Sequence, residues 1–188
     1  LRPAILCCGV LSSAQDCAVS TPPSSLVPTA RCTWWTRWIG YDLLKRHNPP
    51  LPKAALGGHV DVPRMREGGM GAQFFGLVSL PIAERVRGMA RACEEQIDAL
   101  EETIARRPDT LRLVRTAAEL EAAERSGAVG ALLGIEGAHA LEGDLDKLDA
   151  FARRGVRYLG ILHFSSNEAG YPAYGRGRRD TDGLTSWG

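Results

Sequence analysis

The sequence predicts an α/β domain on a parallel sheet. Short apolar runs alternate with longer stretches in which apolar residues recur at steps of three and four, the pattern of βαβ units. The chain has 188 residues, 44% of them hydrophobic and 24% charged, a globular composition that excludes disorder or a coiled coil for the whole. Its 23 Lys+Arg balance 22 Asp+Glu, so bulk charge offers nothing to nucleic acid or to an anionic membrane. No apolar run approaches the ~18 residues of a membrane span.

From the start of the chain, residues 1–33 predict an irregular leader. Up to Cys32 there is no Lys, no Glu and no amphipathic period, and Ser, Thr and Pro recur from Ser20 to Thr29. From Trp34 onward charged and apolar residues alternate as in packed elements, so the folded domain is expected over 34–188. A shifted reading frame ending near Trp34 would account for the break. Four of the five cysteines, Cys7, Cys8, Cys17 and Cys32, fall in the leader and only Cys93 lies beyond it. The odd count and the lack of a C-x-x-C pair argue against a disulfide framework or a cysteine zinc site, and favour a soluble cytoplasmic chain over a secreted one.

Asn48-Pro49-Pro50-Leu51-Pro52 predicts a connector, and Gly57 to Pro63 a loop. Gly71 to Leu80 predicts a buried strand. Ile82, Val86, Met89, Ala90, Cys93, Ile97, Leu100 and Ile104 form the stripe of a core-facing helix that ends near Pro108. Leu111 to Val114 predicts a brief strand, and Thr116-Ala-Ala-Glu119 a capping box opening a helix to about Ser126. Ala131 to Ile135 predicts a buried strand, Leu145 to Arg154 a helix closed by Gly155, and Val156 to Leu162 a further strand.

Two polar residues stand at strand ends. Glu136 follows a wholly apolar strand and precedes Gly137, which places its carboxylate at the carboxyl end of the sheet, where α/β domains bind ligands. A carboxylate there needs a cation, either a metal or an Arg or Lys partner. His163 holds the equivalent place one unit later, and two polar groups capping successive buried strands point to one pocket; alone, each also suits a hydrogen-bonded core position. His139 has E-x-x-H spacing to Glu136, but Gly134 and Gly137 disfavour a helix, so it is expected in a loop behind the site. His59-Val60-Asp61 has the form of an H-x-D metal pair but sits in a loop bounded by Gly and Pro. Tyr171 to Arg179, with Tyr174, Arg176, Arg178 and Arg179, is expected to be a solvated site loop and not a nucleic-acid surface.

The strings Gly58 to Phe75, Gly134-Ile-Glu-Gly-Ala-His-Ala-Leu141, Gly155-Val-Arg-Tyr-Leu159 with His163, and Gly183-Leu-Thr-Ser-Trp-Gly188 resemble the membrane (renal-type) dipeptidases and their bacterial relatives, in order from about Trp34 to the last residue. The resemblance implies a TIM-type (β/α)8 barrel holding two zinc ions that hydrolyses dipeptides, of which this chain would carry roughly the first half, the amino-terminal part. It further implies that Glu136 is the carboxylate bridging both metals and that His163 contacts the substrate and its developing oxyanion.

The chain departs from that pattern in two places. His59-Val60-Asp61 falls where the family has a non-ligand segment. The expected H-x-D pair before Trp34 is replaced by Thr29-Ala-Arg-Cys-Thr33, so of the expected metal ligands only Glu136 is present. The chain alone is therefore expected to be inactive, and a half barrel with unpaired edges to pair with a second copy as a homodimer or to aggregate. Two other readings compete: a non-catalytic barrel-derived binding protein, with Glu136 ion-paired and the Arg-rich loop gripping an anion, and another metal-dependent amidohydrolase on the same barrel.

Overall fold

The computed structural model describes residues 27–30, 41–47, 60–79, 88–163, 165–172 and 183–188. In chain order the elements are β1 (Val27–Ala30), α1 (Val62–Glu67), β2 (Ala72–Val78), α2 (Met89–Arg106), β3 (Leu111–Leu113), α3 (Ala117–Arg125), β4 (Val129–Glu136), a 3-10 turn (Ala138–Leu141), α4 (Asp146–Arg154) and β5 (Val156–Gly160). The pairings among these five strands are all parallel.

β4 organises the sheet. One of its edges pairs along its length with β2, from Ala72 opposite Gly130 to Val78 opposite Glu136, and β2 in turn pairs with β1. The other edge is shared: β3 lies beside Val129 to Ala131, and β5 beside Leu133 to Glu136. At the carboxyl end the paired strands are thus ordered β2-β4-β5, while β1 lies beside the first half of β2, from Gln73 to Phe75, and β3 beside the first half of β4.

The helices seal one face. Phe75 and Leu77 of β2 and Leu133 and Ile135 of β4 are fully buried and pack in one cluster with Cys93, Ile97 and Leu100 of α2. These are the apolar positions of the predicted stripe; Ile82 and Val86, at its start, lie outside the described residues. α2 begins at Met89 behind Gly88, which gives no side-chain cap. The cap comes instead from a distant loop, where Glu142 Oε1 accepts the Met89 N–H at 2.5 Å. Lys147 also pairs with Glu142. Burial raises the pKa of the Glu142 carboxyl, but the hydrogen bonds from Lys147 and Met89 outweigh it and hold the group below its ordinary value.

The capping box forms as expected: Glu119 N–H donates to Thr116 Oγ1 at 3.2 Å, and Thr116 N–H to Glu119 Oε2 at 3.1 Å. Gly155 closes α4 in the left-handed region with φ 104°.

Two expectations are corrected. The segment 1–33 is not irregular throughout, because Val27–Ala30 forms a strand beside β2. Pro28 there supplies no ladder donor, which suits the outermost strand of the sheet. The stretch read as loop up to Pro63 enters a helix at Val62, with Asp61 as N-cap and Pro63 in the first turn. Asp followed two residues later by Pro is itself a helix-start signal.

Candidate active site at the carboxyl end of the sheet

Strand alternation gives the second face its character. Phe74, Gly76, Gly134, Glu136 and Tyr158 point away from α2, and this face is cut back by glycine. A Cβ on Gly76 would lie 2.4 Å from Glu136 Oε1, so the carboxylate rests in the space that Gly76 leaves. A Cβ on Gly134 would lie 1.9 Å from the Tyr158 ring, which crosses β4 there to meet Phe74 edge-on at 5.2 Å between centroids.

The end of β2 beside Glu136 is held by α2. Val78 N–H donates to Gln96 Oε1 at 3.2 Å, and Gln96 Nε2 donates to the Val78 and Ala92 carbonyls at 2.9 Å each. The buried amide of Gln96 thus does for Val78 what a neighbouring strand would do.

Glu136 and His163 come together as the sequence predicts. His163 Nε2 lies 3.7 Å from Glu136 Oε2, with the two side chains 20% and 13% exposed, respectively. That separation exceeds a hydrogen bond, so the groups face one another across a small gap. Among the described residues no Arg or Lys forms an ion pair with Glu136.

His139 lies behind this pair in the 3-10 turn, a single turn of helix where the sequence predicts loop. It is 4% exposed, and its Nε2 shares a hydrogen bond of 2.8 Å with Ser165 Oγ. Burial pushes its pKa below the ordinary value, with Ser165 and the charge of Glu168 opposing and the nearby His163 adding to the drop. Gly137 sits between the imidazoles at φ 102°; a Cβ on it would lie 2.6 Å from His139 Nδ1 and 3.3 Å from His163 Cβ.

Asp61 takes no part. It is fully buried and its carboxylate is saturated by Arg64 N–H at 2.9 Å, Arg64 Nε at 2.7 Å and His47 N–H at 2.8 Å. The second half of the H-x-D string is thus a helix cap. His59, Tyr174, Arg176, Arg178 and Arg179 lie outside the described residues.

Sequence reasoning missed Gly76, Gln96 and Ser165. A glycine inside a strand signals a close approach, and Gly76 could have been found that way. Gln96 and Ser165 carry no local signal.

Zinc takes about four ligands. Among the described residues no group of three or more His, Cys, Asp or Glu could hold a metal ion. One carboxylate and one imidazole do not by themselves fit a pair of zinc ions.

A parallel sheet sealed by helices on one face, with a carboxylate and an imidazole at the ends of adjacent strands, defines an α/β protein with a candidate site at the carboxyl end of its sheet. The chain belongs to the membrane dipeptidase family (peptidase family M19), whose sequence profile matches residues 42–188. It is 30% identical over 117 residues to dipeptidase ataJ of Aspergillus terreus, a match covering 58% of this chain and 28% of that protein. It is 33% identical over 141 residues to dipeptidase aclJ of Aspergillus oryzae, covering 71% and 33%. Among solved structures it resembles dipeptidase AC, a metallopeptidase of family M19, with 26% identity, TM-score 0.65 and coverage of 88% of this chain and 51% of that one. A metallopeptidase from Rhodobacter sphaeroides, liganded with a phosphinate mimic of the dipeptide L-Ala-D-Ala, shares the fold with TM-score 0.65 and 24% identity, over 87% of this chain and 54% of that one. The match thus spans about a third of the curated relatives and about half of the solved chains.

Proposed function

We propose that this chain carries the β2-β4-β5 part of the wall of a (β/α)8 metallodipeptidase, and that the complete protein hydrolyses the peptide bond of dipeptides with two zinc ions. The observation that carries the reading is the placement of Glu136 and His163 side by side at adjacent strand ends, 3.7 Å apart, in a chain of the dipeptidase family. Glu136 is read as the metal-facing carboxylate: its side chain is 13% exposed and has no Arg or Lys partner among the described residues, and a carboxylate in such a place calls for a cation. His163 is read as the substrate-facing group, because a ring nitrogen can donate a hydrogen bond to a carbonyl oxygen on which charge develops. Bound in the complete protein, two zinc ions would supply Lewis acidity and an activated water.

The described residues hold too few donors for that metal pair, so the 188-residue chain supplied with zinc leaves dipeptides uncleaved. The test is metal content after dialysis against zinc, for wild type and Glu136→Gln, alongside a dipeptide turnover assay. The expected result is more zinc in wild type than in the variant and turnover in neither. Equal zinc in both would remove Glu136 from the metal's surroundings, and turnover abolished by Glu136→Ala would show that the ligand set is sufficient after all.

A further inference from the structure

His163 lies three residues beyond the end of β5 at Gly160, so its position follows from the path of the segment after the strand. What holds the following segment is a set of contacts around Gly137. Ala138 N–H donates to the Ile161 carbonyl at 3.0 Å, and Asn167 Nδ2 donates to the same carbonyl at 2.8 Å. Asn167 and Gly170 close a small loop through two backbone bonds of 3.1 and 3.3 Å. A side-chain hydrogen bond between His139 and Ser165, two residues beyond His163, joins the 3-10 turn to this loop.

His139 is an expensive group to bury for packing alone, since an imidazole carries two polar nitrogens into the interior. Its Nδ1 is buried with no hydrogen-bond partner among the described residues, so Ser165 is the contact that sets the ring. A leucine would fill the volume without needing a hydroxyl opposite. The glycine between the imidazoles strengthens the point: any side chain at Gly137 would push His139 Nδ1 away and crowd His163 Cβ.

We propose that His139 is a positioning residue: through its hydrogen bond to Ser165 it latches the loop after β5 onto the 3-10 turn and so fixes the His163 ring beside Glu136. The latch is a property of the chain itself. Its consequence for dipeptide hydrolysis rests on the reading of Glu136 and His163 given above.

The experiment is NMR on the metal-free 188-residue chain, comparing wild type with Ser165→Ala, His139→Leu and His139→Gln. Two signals are followed: cross-peaks between the His163 ring and the Glu136 side chain, and hydrogen exchange of the Asn167 and Gly170 amides. In wild type the cross-peaks are expected to be present. Ser165→Ala and His139→Leu are expected to lose them and to speed exchange at the two amides by about tenfold, with Phe75 and Leu77 of β2 unchanged.

His139→Gln is expected to restore both signals, because its amide can donate to or accept from the Ser165 hydroxyl. Rescue by glutamine separates positioning from packing. Cross-peaks that persist in Ser165→Ala, or a glutamine variant no better than leucine, would overturn the latch, as would their absence in wild type. Because no metal or substrate is used, the failure of the dipeptidase reading shows itself separately, as a metal response indifferent to Glu136 with the cross-peaks intact.

Discussion

Along β2 and β4 the odd-numbered residues Phe75, Leu77, Leu133 and Ile135 are fully buried under α2, whereas the even-numbered Gly76, Gly134 and Glu136 look the other way and leave space in place of bulk. The same two strands, in one register, therefore present two surfaces. The first is filled with side chains and supplies stability. The second is cleared by glycine, so that a carboxylate and an aromatic ring from neighbouring positions can lie across the backbone. The face that stabilises and the face that carries the candidate site are separated by a period of two, and a change of a single residue should move one property with little effect on the other.

The largest effect is expected on the filled face. Leu133→Ala removes a fully buried side chain beneath α2 and should cost about 2–5 kcal/mol of unfolding free energy, against about 1 kcal/mol for Leu132→Ala on the opposite, half-buried side. Denaturant unfolding of the two variants checks the difference, and equal costs would break the comparison.

Gly137→Ala comes next. It forces a side chain onto a φ of 102° and against both imidazoles, and should cost about 1–3 kcal/mol while disordering the His139 and His163 ring signals. A thermal melt and an NMR spectrum test the two halves of that statement.

Gly76→Ala should leave the melt almost unchanged, by less than about 1 kcal/mol, yet displace the Glu136 carboxylate from its rest position. A shift of the Glu136 side-chain signals without loss of fold is the expected outcome. A cooperative loss of stability instead would mean that the cleared face is structural.

The smallest effect is a pH dependence. Burial depresses the His139 pKa in the folded chain, so the unfolded chain binds the proton more tightly. The stability contributed by neutral His139 is present above its ordinary value of 6.5 and is lost as pH falls below that value toward the folded one. The groups facing the ring are Ser165, Glu168 and His163. The melting temperature should fall between pH 7 and pH 5.5, and His139→Gln should flatten that part of the curve.

The helices and strands after Gly71 were legible because their signals are local. The capping box at Thr116, the glycine stop at Gly155 and the stripe through Cys93, Ile97 and Leu100 each involve residues within a few turns of one another. The pairing of Glu136 with His163 was legible because both follow apolar runs in a parallel βα pattern.

What was not legible is non-local or ambiguous in its chemistry. Glu142 caps α2 from 53 residues away, and Gln96 holds Val78 from 18 residues away, with no pattern in the sequence to join them. Asp61 looked like half of a metal pair because an N-cap and a metal ligand ask for the same side chain, and only its three donors decide between them. β1 was missed because its four residues, with Pro28 among them, carry neither period.

The most direct test of the division between the faces is to let a paramagnetic divalent ion choose its place. Co²⁺ titrated into the 188-residue chain and followed by amide NMR is expected to broaden Gly76, Gly137 and His163 first, to leave the Asp61 and Arg64 region untouched, and to lose this selectivity in Glu136→Gln but not in Asp61→Asn. Broadening centred on Asp61, or broadening at the strand ends that survives Glu136→Gln, would contradict the assignment of Glu136 as the metal-facing group.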